Sequence, residues 1–317
     1  MPQDARPHIE LVTGDAVLDV FRDGQPFFVY NFASPHHAGL AKPYFHPIMG
    51  PHGWPITQDG EFPGTLRGHY WHRALFIGHQ KVSHRTEAGS RTTSFWEERA
   101  GDSGVIVHRA FDRISSGDGG FFVHQTVWRS PEGREVLWET RRVAIPKVPP
   151  PYGVIDLELV YRAPREPVRF EPTMYNLLAC RVINALCPLA EKRAYTEKYG
   201  NLVDFRPLLR GGRLVNSEGL ENDAVRGSRA KWVDFSGPLD NAATGGIALL
   251  DHPLNERHPT YWHNWNNMTF MASFTFKDHY LLEPGKDLRL RYRVLTHEGD
   301  AKAADVEGAW NDFAHRG

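Results

Sequence analysis

The chain has 317 residues with 37 Lys and Arg, 38 Asp and Glu and a formal net charge of -1, so it lacks the basic footprint of a nucleic-acid-binding protein. Its opening, MPQDARPHIELVTG, has no basic-then-apolar leader pattern, mean hydropathy is -0.48, and no window reaches the about 20 apolar residues of a membrane span. A soluble, cytoplasmic protein with no membrane or nucleic-acid partner is expected. Only Cys180 and Cys187 are present, at a spacing that matches no zinc or redox motif, which excludes a disulfide framework and predicts two buried thiols.

The first dense stretch is KPYFHPI at 42–48, followed by PHGWPIT at 51–57, which together offer His46 and an aromatic wall. Next comes GHYWHRALFIGH at 68–79, three histidines within aromatic and aliphatic neighbours, read as a loop carrying His69 that runs into a strand from His72 to Phe76. Period-two alternation then predicts antiparallel strands at 104–111, 120–128 and 136–143, with Ser130-Pro131-Glu132-Gly133 as the turn between the second and third. Further strands are expected at 153–163, 168–172, 176–186, 245–250, 268–276 and 287–297. At the C-terminus, Asp300 is expected to cap a helix carrying Val306, Trp310 and Phe313 on one side. No linker or low-complexity block divides the chain, and strand patterns resume directly after Pro149-Pro150-Pro151. The fold class expected is all-β: one domain over 1–317, a large antiparallel β-sandwich with a short C-terminal helix.

The candidate chemistry lies in three clusters. His69, His72 and His79 are suited to acid, base or metal-ligand roles because imidazole titrates near neutral pH. Asn216 and Glu218 sit in GRLVNSEG, where a carboxylate at a loop edge accepts sugar hydroxyls or acts as a base, and where Arg213, Arg226 and Arg229 are its alternative ion-pair partners. Asp251, His252, His258, Trp262 and His263 occur in DHPLNERHPTYWH, whose two His-Pro pairs hold His252 and His258 extended. Tyr44, Trp54, Trp71 and Trp262 offer flat faces on which sugar rings stack, although aromatic residues also fill ordinary cores. The sequence has no phosphate loop, dinucleotide glycine fingerprint, G-x-S-x-G elbow or H-E-x-x-H helix, so no nucleotide cofactor is expected.

Taken together, KPYFHPI, the segment ending in LFIGH with Phe95-Trp96, GRLVNSEG, WVDFSGP, DHPLNERHPTYWH and RYRVLTHEGDA resemble the bacterial PmoA-family proteins from about residue 20 to the C-terminus. These carry a domain of unknown function and are often labelled methane oxygenase. That activity belongs to a multi-span membrane protein and does not fit a chain without a span. The resemblance implies instead a fold similar to the galactose-mutarotase-like supersandwich, a role in sugar catabolism through 3-keto-sugars, and a functional link to sugar oxidoreductases. It also carries His46, His69, His72, His79, Asn216, Glu218, Asp251, His252, His258 and His263 onto family motif positions. Members usually have an HPHH-like run where this chain reads His69-Tyr70-Trp71-His72, so one histidine of that run is a tryptophan.

The leading expectation is an enzyme that eliminates across a keto-sugar or cleaves a glycoside by proton transfer. The catalytic set is His72, His79, Glu218 and His263: His72 or Glu218 as base, His79 or His263 as acid. Arg73, or a divalent ion held by His69, His72 and His263, is the electrophile. Tyr44, His46, Arg73, Asn216, Asp251, His252, His258 and Trp262 are the substrate-binding set. The alternatives are an aldose mutarotase or epimerase without metal, and a non-catalytic sugar-binding sandwich. Both monomer and homo-oligomer are compatible with the sequence.

Overall fold

The computed structural model describes residues 8–33, 41–59, 71–99, 101–188, 211–239, 243–265 and 268–315. Its strands form three antiparallel sheets. A nine-stranded sheet runs in the order β1 (Ile9–Thr13), β2 (Val17–Arg22), β3 (Gln25–Asn31), β4 (Tyr44–Ile48), β5 (Leu75–His79), β13 (Asn176–Arg181), β19 (Thr269–Ala272), β18 (Tyr261–Trp265) and β15 (Ser228–Arg229). An eight-stranded sheet runs β14 (Arg213–Asn216), β16 (Trp232–Pro238), β17 (Thr244–Asp251), β21 (Asp287–Glu298), β11 (Gly153–Arg162), β10 (Glu135–Ile145), β9 (Gly120–Arg129) and β8 (Val105–Ser115). The small sheet is β20 (Tyr280–Leu282), β12 (Val168–Phe170), β6 (Val82–Thr86) and β7 (Gly89–Thr93).

The sandwich follows from side-chain parity. Along β10, Glu139, Arg141, Val143 and Ile145 are buried while Trp138 and Arg142 are exposed, as period-two alternation requires of a strand with one face covered. The inward faces of the two large sheets share one hydrophobic core that includes Ile9, Phe28, Phe45, Leu75, Leu178 and Phe270 from one sheet and Trp128, Leu159, Phe235 and Val294 from the other. The turn at Ser130–Gly133 forms as expected, closed by the Gly133 amide on the Ser130 carbonyl at 2.8 Å, with Gly133 at φ +82, where glycine is favoured. Cys180 and Cys187 are both free and buried.

Several boundaries differ from the sequence expectation, among them Val105–Ser115 for the strand expected over 104–111 and Val168–Phe170 for the one expected over 168–172. The strand expected from His72 to Phe76 occupies Leu75–His79, because Ala74 bonds to Gln58 outside the ladder. The strand expected over 176–186 ends at Arg181, and Asn184–Leu186 forms a 3-10 turn. The strand expected over 268–276 ends at Ala272, where the Phe276 amide turns back to Ser273. The helix α1 is Val306–Ala314, and Asp305, not Asp300, caps it by accepting from the Gly308 amide; Asp300 caps the preceding turn through Lys302 and Ala303. α1 covers the outer face of the eight-stranded sheet by packing Val306 and Phe313 with Trp232, Leu250 and Leu295.

Candidate active site

On the outer face of the nine-stranded sheet the register lines up one row of side chains. Tyr44 lies opposite Phe76, Phe76 opposite Ala179, Ala179 opposite Met271, and Met271 opposite His263. Residues in register share a face, so β4, β5, β13, β19 and β18 each contribute one side chain to this row and turn the next into the core. Arg181 takes the following position on the same face of β13. Trp71, Trp96 and Tyr175 pack against the row from flanking loops. Their rings form a continuous run: Phe76 to Trp96 at 4.8 Å, Trp96 to Tyr175 at 5.8 Å, and Tyr175 edge-on to His263 at 5.6 Å.

Two histidines stand at the ends of this run. His72 Nε2 lies 3.3 Å from the Trp96 indole N–H. Indole only donates, so His72 accepts at Nε2 and, when neutral, carries its proton on Nδ1. His263 is 2% exposed, and neither ring nitrogen has a hydrogen-bond partner among the described residues. Burial, reinforced by the charge of Arg226, pushes its pKa down to about 4, so the ring is in its neutral, unprotonated form at physiological pH. Arg226 is itself held by the Asn264 carbonyl at 3.2 Å and by Asp223 at 3.3 Å.

The other end of the row is ionic. Arg73 donates to both Glu98 oxygens at 3.2 and 2.8 Å and to Asp59 at 3.2 Å, and its guanidinium lies 5.7 Å from the Tyr44 ring centre. Lys42 Nζ donates to the Trp96 carbonyl at 2.6 Å, pairs with Glu98 at 3.1 Å and sits 5.1 Å from the Phe76 ring centre. Burial lowers the Lys42 pKa, with Glu98 opposing it in part. Burial would also lower that of Arg73, but Glu98 and Asp59 outweigh it and the net shift is upward. Glu98 is the reverse case: burial raises its pKa, and Lys42 and Arg73 together bring it below the ordinary carboxylate value. His46 faces Thr57 Oγ1 at 3.2 Å, its pKa lowered by burial against the opposing charge of Asp59.

Tyr44, His46, His72, Arg73 and His263 therefore belong to one outer face of the sheet, as residues or as its flanking loop. The remaining sequence candidates lie elsewhere. His79 turns into the core, bonds Thr275 Oγ1 at 2.8 Å and accepts from the Lys81 amide; burial, then Lys81, pushes its pKa down to about 3. Trp262, one residue before His263, is wholly buried with its indole bonded to the Ala230 carbonyl, so it has no face for a sugar. Asn216 organises its own turn by accepting from the Glu218 and Leu220 amides. Glu218 is exposed on that turn, bonded to Ser217, and no hydrogen bond or ion pair among the described residues joins it to the row. His69 lies outside the described residues. Among those described, no three His, Cys, Asp or Glu side chains group closely enough to hold a metal ion.

Asp251, His252 and His258 form a structural hub. Asp251 is 1% exposed and accepts from Asn255 Nδ2, His258 Nδ1 and the Thr260 amide at 2.7, 2.8 and 2.9 Å. His258 stacks on Trp310, whose indole bonds the Asp251 carbonyl, and His252 packs edge-on against Phe313. These contacts seat α1. Asp251→Ala is expected to lower the free energy of unfolding by about 3 kcal/mol, because two buried donors and the partly buried His258 lose their acceptor. Urea unfolding checks this, and Asp251→Asn, which keeps one carbonyl oxygen, is expected to recover part of the loss.

Sequence reasoning did not single out Lys42, Asp59, Glu98, Trp96 as a donor, Tyr175 or Arg181. The available signal was the pair Trp96 and Glu98 in SFWEE, charge beside aromatics in a stretch with no strand pattern.

The class of protein that emerges is a large antiparallel β-sandwich with an aromatic, cation-rich face on one sheet and a buried neutral imidazole, His263, set into it. Comparison with known families places it further: the profile of the family of unknown function DUF6807 matches residues 17–311, and the chain belongs to that family. This corrects the family expected from the sequence motifs, since nothing in the match points to PmoA. No curated protein matches the chain in sequence. Among solved structures, a candidate kojibiose phosphorylase from the human microbiome aligns at 8% identity and a TM-score of 0.40, covering 98% of this chain and 37% of that one. The chain thus spans little more than a third of that protein's length. A galactose mutarotase related enzyme from Lactobacillus acidophilus aligns at 9% identity and a TM-score of 0.36, covering 91% of this chain and 97% of that one. A 4-alpha-glucanotransferase from Thermococcus litoralis aligns at 8% identity and a TM-score of 0.24, covering 93% and 40%. No helix among the described residues is long and apolar enough to cross a membrane.

Proposed function

We propose that the outer face of the nine-stranded sheet binds a sugar or keto-sugar and that His263 takes a proton from one of its carbons. The observation that carries this reading is a buried imidazole with both nitrogens unpartnered among the described residues. A buried polar ring without hydrogen bonds is costly, and one kept neutral beside a guanidinium is suited to accept a proton while the nearby positive charge steadies the anion left behind. Tyr175 and Trp71, both only partly buried against the row, supply flat apolar faces of the kind that pack against pyranose C–H groups.

In a 3-keto-glycoside the carbonyl acidifies the C2 proton. His263 removes it, the C–H electron pair moves into the enolate, and the C1–O bond then breaks as an acid protonates the leaving oxygen. His72, with its proton on Nδ1, is assigned as that acid, and Arg226 as the cation that offsets enolate charge. No metal enters these steps.

The test is proton NMR in heavy water with glucosides, free aldoses and 3-keto-glucosides, with and without chelator. Loss of the C2 proton signal with release of the aglycone is expected. Its rate should fall by about 10²–10⁴-fold in His263→Gln, with folding retained. Since the base form is the neutral ring, kcat/KM is expected to rise through a pH of about 4 and level off toward neutrality, provided no other group titrates there. C2 exchange that survives His263→Gln would remove this residue from the reaction. Anomer equilibration without C2 exchange would assign the face to a mutarotase, and no change across the panel would leave a binding role.

A further inference from the structure

The outer face of the eight-stranded sheet carries a second feature, unconnected with the row that ends at His263. Beside α1 lies an open groove of about 410 Å³, lined in part by Phe121, Arg142, Ala144, Glu158, Arg291 and Phe313. Its shape follows from register: Phe121 faces Ala144, which faces Asp156, while Arg142 faces Glu158, which faces Arg291. The small side chain of Ala144 leaves a depression between larger neighbours.

The groove has more positive charge than its carboxylates offset. Asp156 is taken by Arg293 in two hydrogen bonds of 2.6 and 2.9 Å. Glu158 is shared by Arg289 and, at 3.4 Å, by Arg291. Arg142 and Arg113 lie 5.1 and 5.0 Å from the centre of the same Phe121 ring, and neither has an ion-pair partner among the described residues. The nearby Asp112 accepts from Gln125 at 2.6 Å. Guanidiniums gathered on one ring repel each other unless an anion joins them, and their planar forks match carboxylate and phosphate oxygens.

We propose that this groove binds a small molecule bearing an oxyanion, carboxylate or phosphate, which Arg142 and Arg291 engage while the rest of the ligand lies over Ala144 between Phe121 and Phe313. The site does not depend on the reaction assigned to His263.

The experiment is calorimetric titration of the full chain with inorganic phosphate, glucose 6-phosphate and glucuronate at constant ionic strength. Saturable binding of at least one probe is expected, weakened tenfold or more in Arg142→Gln and in Arg291→Gln. It should be unchanged in Arg162→Gln, an exposed arginine paired elsewhere with Asp287. The phosphate and glucuronate arms identify the oxyanion. Arg142 is exposed, so its variant is expected to unfold at the same urea midpoint as the parent. No saturable heat with any probe, binding that persists in Arg142→Gln, or equal weakening in Arg162→Gln would overturn the proposal.

Discussion

Glu98→Gln is expected to lower the free energy of unfolding by about 3–5 kcal/mol, the loss typical of breaking a buried ion pair from one side. Glu98 is the carboxylate that Lys42 and Arg73 share, and the three side chains are only 8%, 1% and 4% exposed. Glutamine retains the shape and one acceptor but leaves two buried cations, with Asp59 the remaining carboxylate bonded to Arg73 among the described residues. The pH dependence has a definite sign. Because the folded-state pKa of Glu98 is depressed, its stabilisation is fully present above the ordinary carboxylate value and is lost as pH falls through the depressed one. The gap between parent and variant should therefore close in acid. Urea unfolding at neutral pH and near pH 3 measures it, and a neutral-pH difference under about 1 kcal/mol would show that the triad contributes little.

The same titration contains a second acid effect that does not involve Glu98. His79 and His263 are held neutral to about 3 and about 4, whereas in the unfolded chain they protonate near 6.5. Their stabilisation is thus complete above the unfolded value and declines as pH drops from there toward the folded values. Parent and Glu98→Gln should both weaken from neutrality down toward about pH 3 to 4, and only the parent should carry the additional acid loss that comes from Glu98.

Arg141→Met is expected to be as damaging, about 3–5 kcal/mol, for a pair between the two large sheets. Glu139 and Arg141 are both wholly buried, joined at 2.8 Å, and Glu139 also accepts from Thr126 and the Trp128 indole at 2.9 and 2.8 Å. Removing the arginine strands a buried carboxylate. The double variant Glu139→Gln/Arg141→Met removes both charges and keeps an acceptor for Thr126 and Trp128, so it should recover much of the loss. The pair also leaves a spectroscopic signature. His108 is held to about 4, first by burial and second by the charge of Arg141. In the double variant its NMR titration should move upward while burial keeps it below the ordinary value. A double variant no more stable than Arg141→Met would mean that the charges are not what the site depends on.

The strand pattern was largely legible because alternation is local: Glu135–Ile145 and Gly153–Arg162 each read as strands from their own side chains. Helix α1 was legible from the spacing of Val306, Trp310 and Phe313, but not its cap, since Asp300 and Asp305 are equally good capping residues by type. The C-terminal histidine cluster was visible as a cluster and opaque as to role. His258 differs from His263 in having Asp251 within hydrogen-bond reach, and that partner is delivered by a turn closed through a Thr260 amide.

What the sequence by itself determined is therefore the all-β class, the hairpin turn at Ser130–Gly133, the pair of buried thiols and the residue types available for chemistry. The tertiary structure alone decided which side of each strand became a site. Trp262 and His263 are neighbours of similar promise, yet register with Ala272 and Met271 sends the first into the core and the second to the outer face. Lys42, Arg73 and Glu98 come from separate segments and acquire meaning only where the chain folds them onto one another. Alternation along a strand is set by backbone geometry, but its phase relative to the core, and the partners of every buried charge, are set by contacts between residues far apart in the chain.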